Sequence, residues 1–204
     1  MPHSPSAQPA GGETALVVID VQHSYFEHPA LAAHQAELTA AVVDLLTAAR
    51  EAGRPVFLVR TEHARDRSTW TLNMLADGEG FAFPGTRQAA LLDGVAAAAP
   101  DAVEVVKTRD SAFHGTRLAA ELRDRGVDRI LLCGVSTHSC VAQTATDAFA
   151  SDFHAAIATD AIASEKPALA AAMLDFLRTE MRQPLLGQDD ALTLLRTGLV
   201  PDRG

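Results

Sequence analysis

The chain alternates short, uninterrupted apolar runs with longer stretches in which apolar positions recur every three to four residues. Residues 15–19 (Ala-Leu-Val-Val-Ile) run without a polar break until Asp20, the mark of a strand covered on both faces. Leu38, Val42, Leu45, Leu46 and Ala49 follow at helical spacing, and Gly53 with Pro55 stops that helix. Residues 56–59 and 103–106 supply the second and third strands, the latter ending at Lys107. A helix over 116–125 turns Leu118 and Leu122 inward and is capped by Gly126. The fourth strand covers 130–134, a helix follows over 138–149, and a fifth strand covers 155–158. A long helix over 168–182 has Pro167 near its first turn, and a short helix after Asp189 closes the chain.

This alternation predicts an α/β protein: a three-layer α/β/α, Rossmann-like single domain with a mainly parallel sheet and helices on both faces. No repeat or linker divides it, so one domain is expected over 13–204, preceded by a small-residue, Pro/Gly-rich flexible arm over 1–12. In such sheets ligands bind beyond the carboxyl ends of the strands, where the direction of connection reverses. The one long irregular stretch, residues 60–85, holds Trp70, Phe81 and Phe83, and a loop of that length in a compact domain points to function.

Composition narrows the classes. A chain of 204 residues that is 48% hydrophobic can bury a sizeable core and is not a disordered segment. No apolar run reaches the roughly 18 residues that span a bilayer, and the first twelve residues lack the basic start and apolar core of a signal peptide. A net charge of −9 with only 17 Lys and Arg argues against nucleic acid as a partner. The two cysteines, Cys133 and Cys140, make neither a disulfide framework nor a zinc site, and with no export signal they are expected to be reduced thiols in a cytoplasmic protein.

Asp20, Lys107 and Cys140 each fall at or just after the carboxyl end of a predicted strand. Taken singly, they read as a turn residue, a solvated charge and a small buried hydrophobe. Taken together, they make a nucleophile and its supports. A free thiol is only a few per cent thiolate at pH 7; a helix N-terminus and the Lys107 ammonium would bring its pKa toward roughly 4–7. Asp20 would accept the thiol proton and pass it to a leaving amine. Convergence of the three predicts neighbouring strands in the order 2-1-3-4-5, with the first between the second and third. The turn from Gly134 to Cys140 can aim successive backbone N–H groups at one point, as an oxyanion hole requires, or simply cap the helix through Ser136 or Thr137.

Three segments resemble the isochorismatase-like, or cysteine, hydrolases. Leu16-Val17-Val18-Ile19-Asp20-Val21-Gln22 is similar to that family's opening strand with Asp-x-Gln. Lys107 with Ser111-Ala112-Phe113 and Thr116 resembles its lysine motif, and Gly134-Val135-Ser136-Thr137-His138-Ser139-Cys140-Val141 its nucleophile motif. The resemblance implies an Asp20–Lys107–Cys140 triad and a cis peptide between Val135 and Ser136, with the Ser136 and Cys140 N–H groups on the oxyanion. It also implies hydrolysis of a small amide or carbamoyl-type C–N bond through a thioester, no organic cofactor, and a homo-oligomer, dimer or tetramer. One branch cleaves a vinyl ether without depending on a cysteine; Cys140 favours the amide branch. A vinyl-ether hydrolase and a non-catalytic binding module of the same fold are the alternatives. Nicotinamidases of the family carry a metal-binding Asp-x-His, where this chain has Arg60-Thr61-Glu62-His63, so no metal is expected.

The remaining candidates are substrate-binding residues. Gln22 belongs to the first motif, and His63 either hydrogen-bonds in the pocket or sits bare in a turn. Tyr25, Trp70 and Phe113 either line the site or cover the core. His138 is expected to pack at the helix start, and Cys133 to be an inert core thiol. His23, His114 and His154 have no partner legible in the sequence.

Overall fold

Six parallel strands, β1 (Glu13–Ile19), β2 (Val56–Thr61), β3 (Val103–Lys107), β4 (Val127–Val135), β5 (His154–Ala163) and β6 (Leu185–Leu186), form one sheet in the order β3-β2-β1-β4-β5-β6. The computed structural model describes residues 12–201; residues 1–11 of the expected arm lie outside the described residues. The described residues form eight α-helices, of which the last follows β6: α1 (Pro29–Ala32), α2 (Gln35–Glu51), α3 (Leu72–Asp77), α4 (Asp93–Ala98), α5 (Leu118–Asp124), α6 (Ala142–Ala150), α7 (Pro167–Thr179) and α8 (Gln188–Thr197).

The period-2 geometry of β1 explains its unbroken apolar run. Leu16 and Val18 join Leu38, Val42, Leu45 and Leu46 of α2 and Leu194 and Leu195 of α8 in one core. Ala15, Val17 and Ile19 face the opposite core, with Leu118 and Leu122 of α5, Ala145 and Ala148 of α6 and Leu177 of α7. Both faces of the strand are therefore covered, and the three-layer α/β/α arrangement follows. Among the described residues, no helix is long and apolar enough to cross a membrane.

The strand order differs from expectation. β1 lies between β2 and β4, and β3 is the outer neighbour of β2. The expectation assumed that Lys107 needed a strand adjacent to β1. In fact Thr61 and Lys107 are register partners at the ends of β2 and β3, and the long lysine side chain reaches across β2. Connections run outward from β1 through β2 and β3 on one side, and through β4, β5 and β6 on the other. The reversal point, where ligands bind in such sheets, therefore lies between the ends of β1 and β4. The structure also adds β6 and the short α3 and α4, and it extends β5 to His154–Ala163.

Gly134 is required where β4 passes the end of β1. Its φ is +114, and a Cβ there would fall 2.0 Å from the Ile19 carbonyl oxygen. That oxygen is backbone in a central strand and cannot move aside cheaply. Gly134→Ala is expected to cost roughly 3 kcal/mol or more, the sum of overpacking and a left-handed backbone, read as a lowered denaturation midpoint.

Candidate active site

Asp20 closes β1 in a left-handed conformation, φ 53, fully buried. Its Oδ2 lies 2.7 Å from Lys107 Nζ, and its Oδ1 accepts from Thr61 Oγ1 at 2.9 Å. Lys107 Nζ also donates to Thr61 Oγ1 at 2.8 Å and to the Arg109 carbonyl at 3.1 Å. The same ammonium stands 3.4 Å from Cys140 Sγ, so one cation bridges the carboxylate and the sulfur. All three side chains are buried, Cys140 at 4% exposure. Cys140 is carried by a π-helical turn, Thr137–Val141, that leads directly into α6, and the Val135–Ser136 peptide bond before it is cis. Thr144 Oγ1 of α6 accepts from Ala112 N at 2.9 Å, which ties the segment after Lys107 to the helix that follows Cys140.

The thiol does not have the depressed pKa that a helix start and a lysine suggest. Burial pushes it up to about 12; the Asp20 charge acts in the same direction and Lys107 only partly offsets them. The helix start and lysine are both there, but the adjacent carboxylate already neutralises the lysine. Cys140 therefore rests as a thiol beside an ion pair of zero net charge. Moving its proton to Asp20 leaves a neutral acid, an ammonium and a thiolate, again of zero net charge. The shuttle thus changes where charge sits without burying any more of it. Asp20→Asn removes the charge opposing the thiolate and leaves Lys107 to stabilise it. The variant is expected to alkylate at Cys140 with iodoacetamide at lower pH than wild type. Alkylation rates from pH 7 to 10, read on the Cys140 peptide, check this.

The other candidates separate into two groups. Tyr25 OH reaches Asp20 Oδ2 at 3.2 Å and Thr61 Oγ1 at 3.1 Å. Burial and the Asp20 charge hold its pKa well above the ordinary phenol, so it stays a donor there. His63 is buried, with Nδ1 3.0 Å from the Thr69 carbonyl and its ring 5.5 Å from that of Phe81. Burial lowers its pKa; the neutral ring donates from Nδ1 to the carbonyl, and Nε2 is an acceptor. Gln22, by contrast, donates to the Thr61 and Ala89 carbonyls and accepts from Thr61 N, bracing the end of β2. Trp70 donates to the Ala64 carbonyl and lies over Gly80 and Phe83, holding the 60–85 segment together. Phe113 packs against Phe153 on the core side.

Beside the Thr137–Val141 turn, Ser136 Oγ donates to Glu165 Oε2 at 2.7 Å. His138 lies 3.5 Å from the other Glu165 oxygen and 2.7 Å from Ser164 Oγ, so it is bonded there and not merely packed. Burial opposes ionisation of Glu165, but the Ser136 hydroxyl and the neighbouring charges hold its pKa below the ordinary carboxylate value. Thr61, Asp110 and Glu165 escaped the sequence reading. Thr61 ends β2, two residues beyond the strand predicted at 56–59, and Glu165 follows β5, predicted only over 155–158. A polar residue at each strand end was the available signal. Among the described residues, no cluster of three or more His, Cys, Asp or Glu is arranged to hold a metal ion.

A family model described as "Isochorismatase domain" matches residues 14–189. A protein of Arabidopsis thaliana named a probable inactive nicotinamidase is 33% identical over 181 residues, 85% of this chain and 92% of that one. The maleamate amidohydrolase of Pseudomonas putida is 30% identical over 161 residues, 74% of this chain and 73% of that one. Among solved structures, an isochorismatase family protein from Desulfovibrio vulgaris superposes with a TM-score of 0.81 at 31% identity, covering 94% of this chain and all of that one.

Proposed function

The chain belongs to the isochorismatase family of hydrolases, and from that membership we propose that it cleaves the C–N bond of a small amide or carbamoyl compound through a thioester on Cys140. The observation that carries this reading is the buried Lys107 ammonium, 2.7 Å from Asp20 and 3.4 Å from Cys140. It supplies a thiol nucleophile, a carboxylate to take its proton and a fixed cation in one water-poor space. The amidohydrolase among the relatives supports the choice of bond.

Cys140 Sγ attacks the carbonyl carbon as its proton passes to Asp20. Lys107 then faces a neutral acid and the charge developing on the substrate. The Ser136 and Cys140 backbone N–H groups hold the oxyanion. Asp20 returns the proton to the leaving nitrogen, ammonia or an amine departs, and a thioester remains. Water attacks the thioester, gives a proton to Asp20, and the acid is released as Asp20 reprotonates the sulfur. Atoms and charge balance at each step, with one water consumed per turnover. The test is ammonia release from a panel of primary amides and carbamoyl compounds, wild type against Cys140→Ala. Release by wild type alone supports the reading; no release above the variant from any member contradicts it.

A further inference from the structure

Among the charged groups described around Cys140, Arg109 and Asp110 have no ion-pair partner, and of the two only Asp110 contacts the sulfur. Asp20 and Lys107 neutralise each other, Cys140 rests as a thiol and His63 as a neutral ring. Arg109 is anchored, its Nη1 donating to the Thr69 carbonyl at 2.8 Å and the Thr108 carbonyl at 2.6 Å. Asp110 is different. It follows Lys107 by three residues, is exposed, and places Oδ1 3.9 Å from Cys140 Sγ. Among the described residues it makes no ion pair; its recorded contact is the sulfur.

An attacking sulfur approaches a carbonyl carbon to roughly 3–3.5 Å. A carboxylate 3.9 Å from that sulfur then lies within a few ångströms of the groups bonded to the carbonyl. At such separations a unit charge attracts a cation and repels an anion by an amount worth roughly tenfold in occupancy, even in a solvated setting. We propose that Asp110 sets the charge specificity of the site: its substrate carries a protonated amine, amidinium or guanidinium close to the scissile carbonyl, and anionic amides are disfavoured. The term substrate rests on the C–N hydrolase reading, but the charge selection at the thiol does not.

The test uses the full chain and three thiol probes of similar size: the 2-aminoethyl, methyl and 2-sulfonatoethyl methanethiosulfonates, which are cationic, neutral and anionic. Modification rates are read on the Cys140 peptide, apart from Cys133, and each is divided by the rate with N-acetylcysteine amide. Wild type should favour the cationic over the anionic probe by roughly tenfold or more after this correction. Asp110→Asn should reduce that preference to within about threefold of unity, and Asp110→Glu should keep most of it. A wild-type ratio near one, or the same ratio in Asp110→Asn, overturns the proposal. Charge selection that depends on Asp110, with no amide turned over, would sink the hydrolase reading and leave the role of Asp110 standing.

Discussion

Cys140→Ala is expected to lower ammonia release by at least ~10³-fold with the fold intact. In the proposed mechanism the sulfur is the atom that bonds to the acyl group, and no neighbouring hydroxyl stands ready to replace it. Ser139 Oγ is 4.0 Å from the sulfur and has no base beside it; Thr61 Oγ1 is held between Asp20 and Lys107. The cavity left by one sulfur atom is small, so the thermal midpoint should stay within a few degrees of wild type. Cys140→Ser should be nearly as inactive, because a hydroxyl is a much weaker acid than a thiol and Asp20 cannot take its proton as readily. A vinyl-ether cleavage initiated by Asp20 would survive both substitutions, which separates the two chemistries in one assay.

Lys107→Ala is expected to damage stability and turnover together. Lys107 is 2% exposed and its partner Asp20 fully buried. Removing the ammonium leaves a carboxylate in the core facing only the neutral donors Thr61, Tyr25 and the Cys140 thiol. Breaking one side of a buried pair costs about 3–5 kcal/mol, which for a domain of this size lowers the melting temperature by roughly 6–20 °C. Hydrolysis should fall by at least ~10²-fold at a temperature where the variant is folded, since the thiolate loses its fixed cation. Asp20→Asn removes the opposite charge. The two variants should therefore move the Cys140 thiol in opposite directions: up without the lysine, down without the aspartate.

Much of this was written in hydrophobic periodicity. The buried run before Asp20 and the inward positions of α2 and α5 are where the pattern puts them, because burial on two faces or one leaves a direct mark on residue choice. Strand order was not legible. Sequence spacing shows that Lys107 ends a strand, but not that its side chain is long enough to reach Asp20 from two strands away. β6 is only two residues long, too short for any periodicity. The family motifs marked Asp20, Lys107 and Cys140. Thr61, Asp110 and Glu165 come to the site through backbone geometry that no motif encodes. The acidity of Cys140 was misjudged for a related reason: a lysine counted alone favours the thiolate, whereas a lysine already paired leaves burial to decide.

In the proposed mechanism Cys140 carries the acyl group. The most direct measurement is acid quenching during turnover of an amide or carbamoyl compound from which the enzyme releases ammonia, followed by peptide mass spectrometry. The expected result is an adduct on the Cys140 peptide equal in mass to the substrate less ammonia, appearing before the acid product and lost as substrate is consumed. Turnover that persists in Cys140→Ala, or an adduct on a peptide other than that of Cys140, would contradict it.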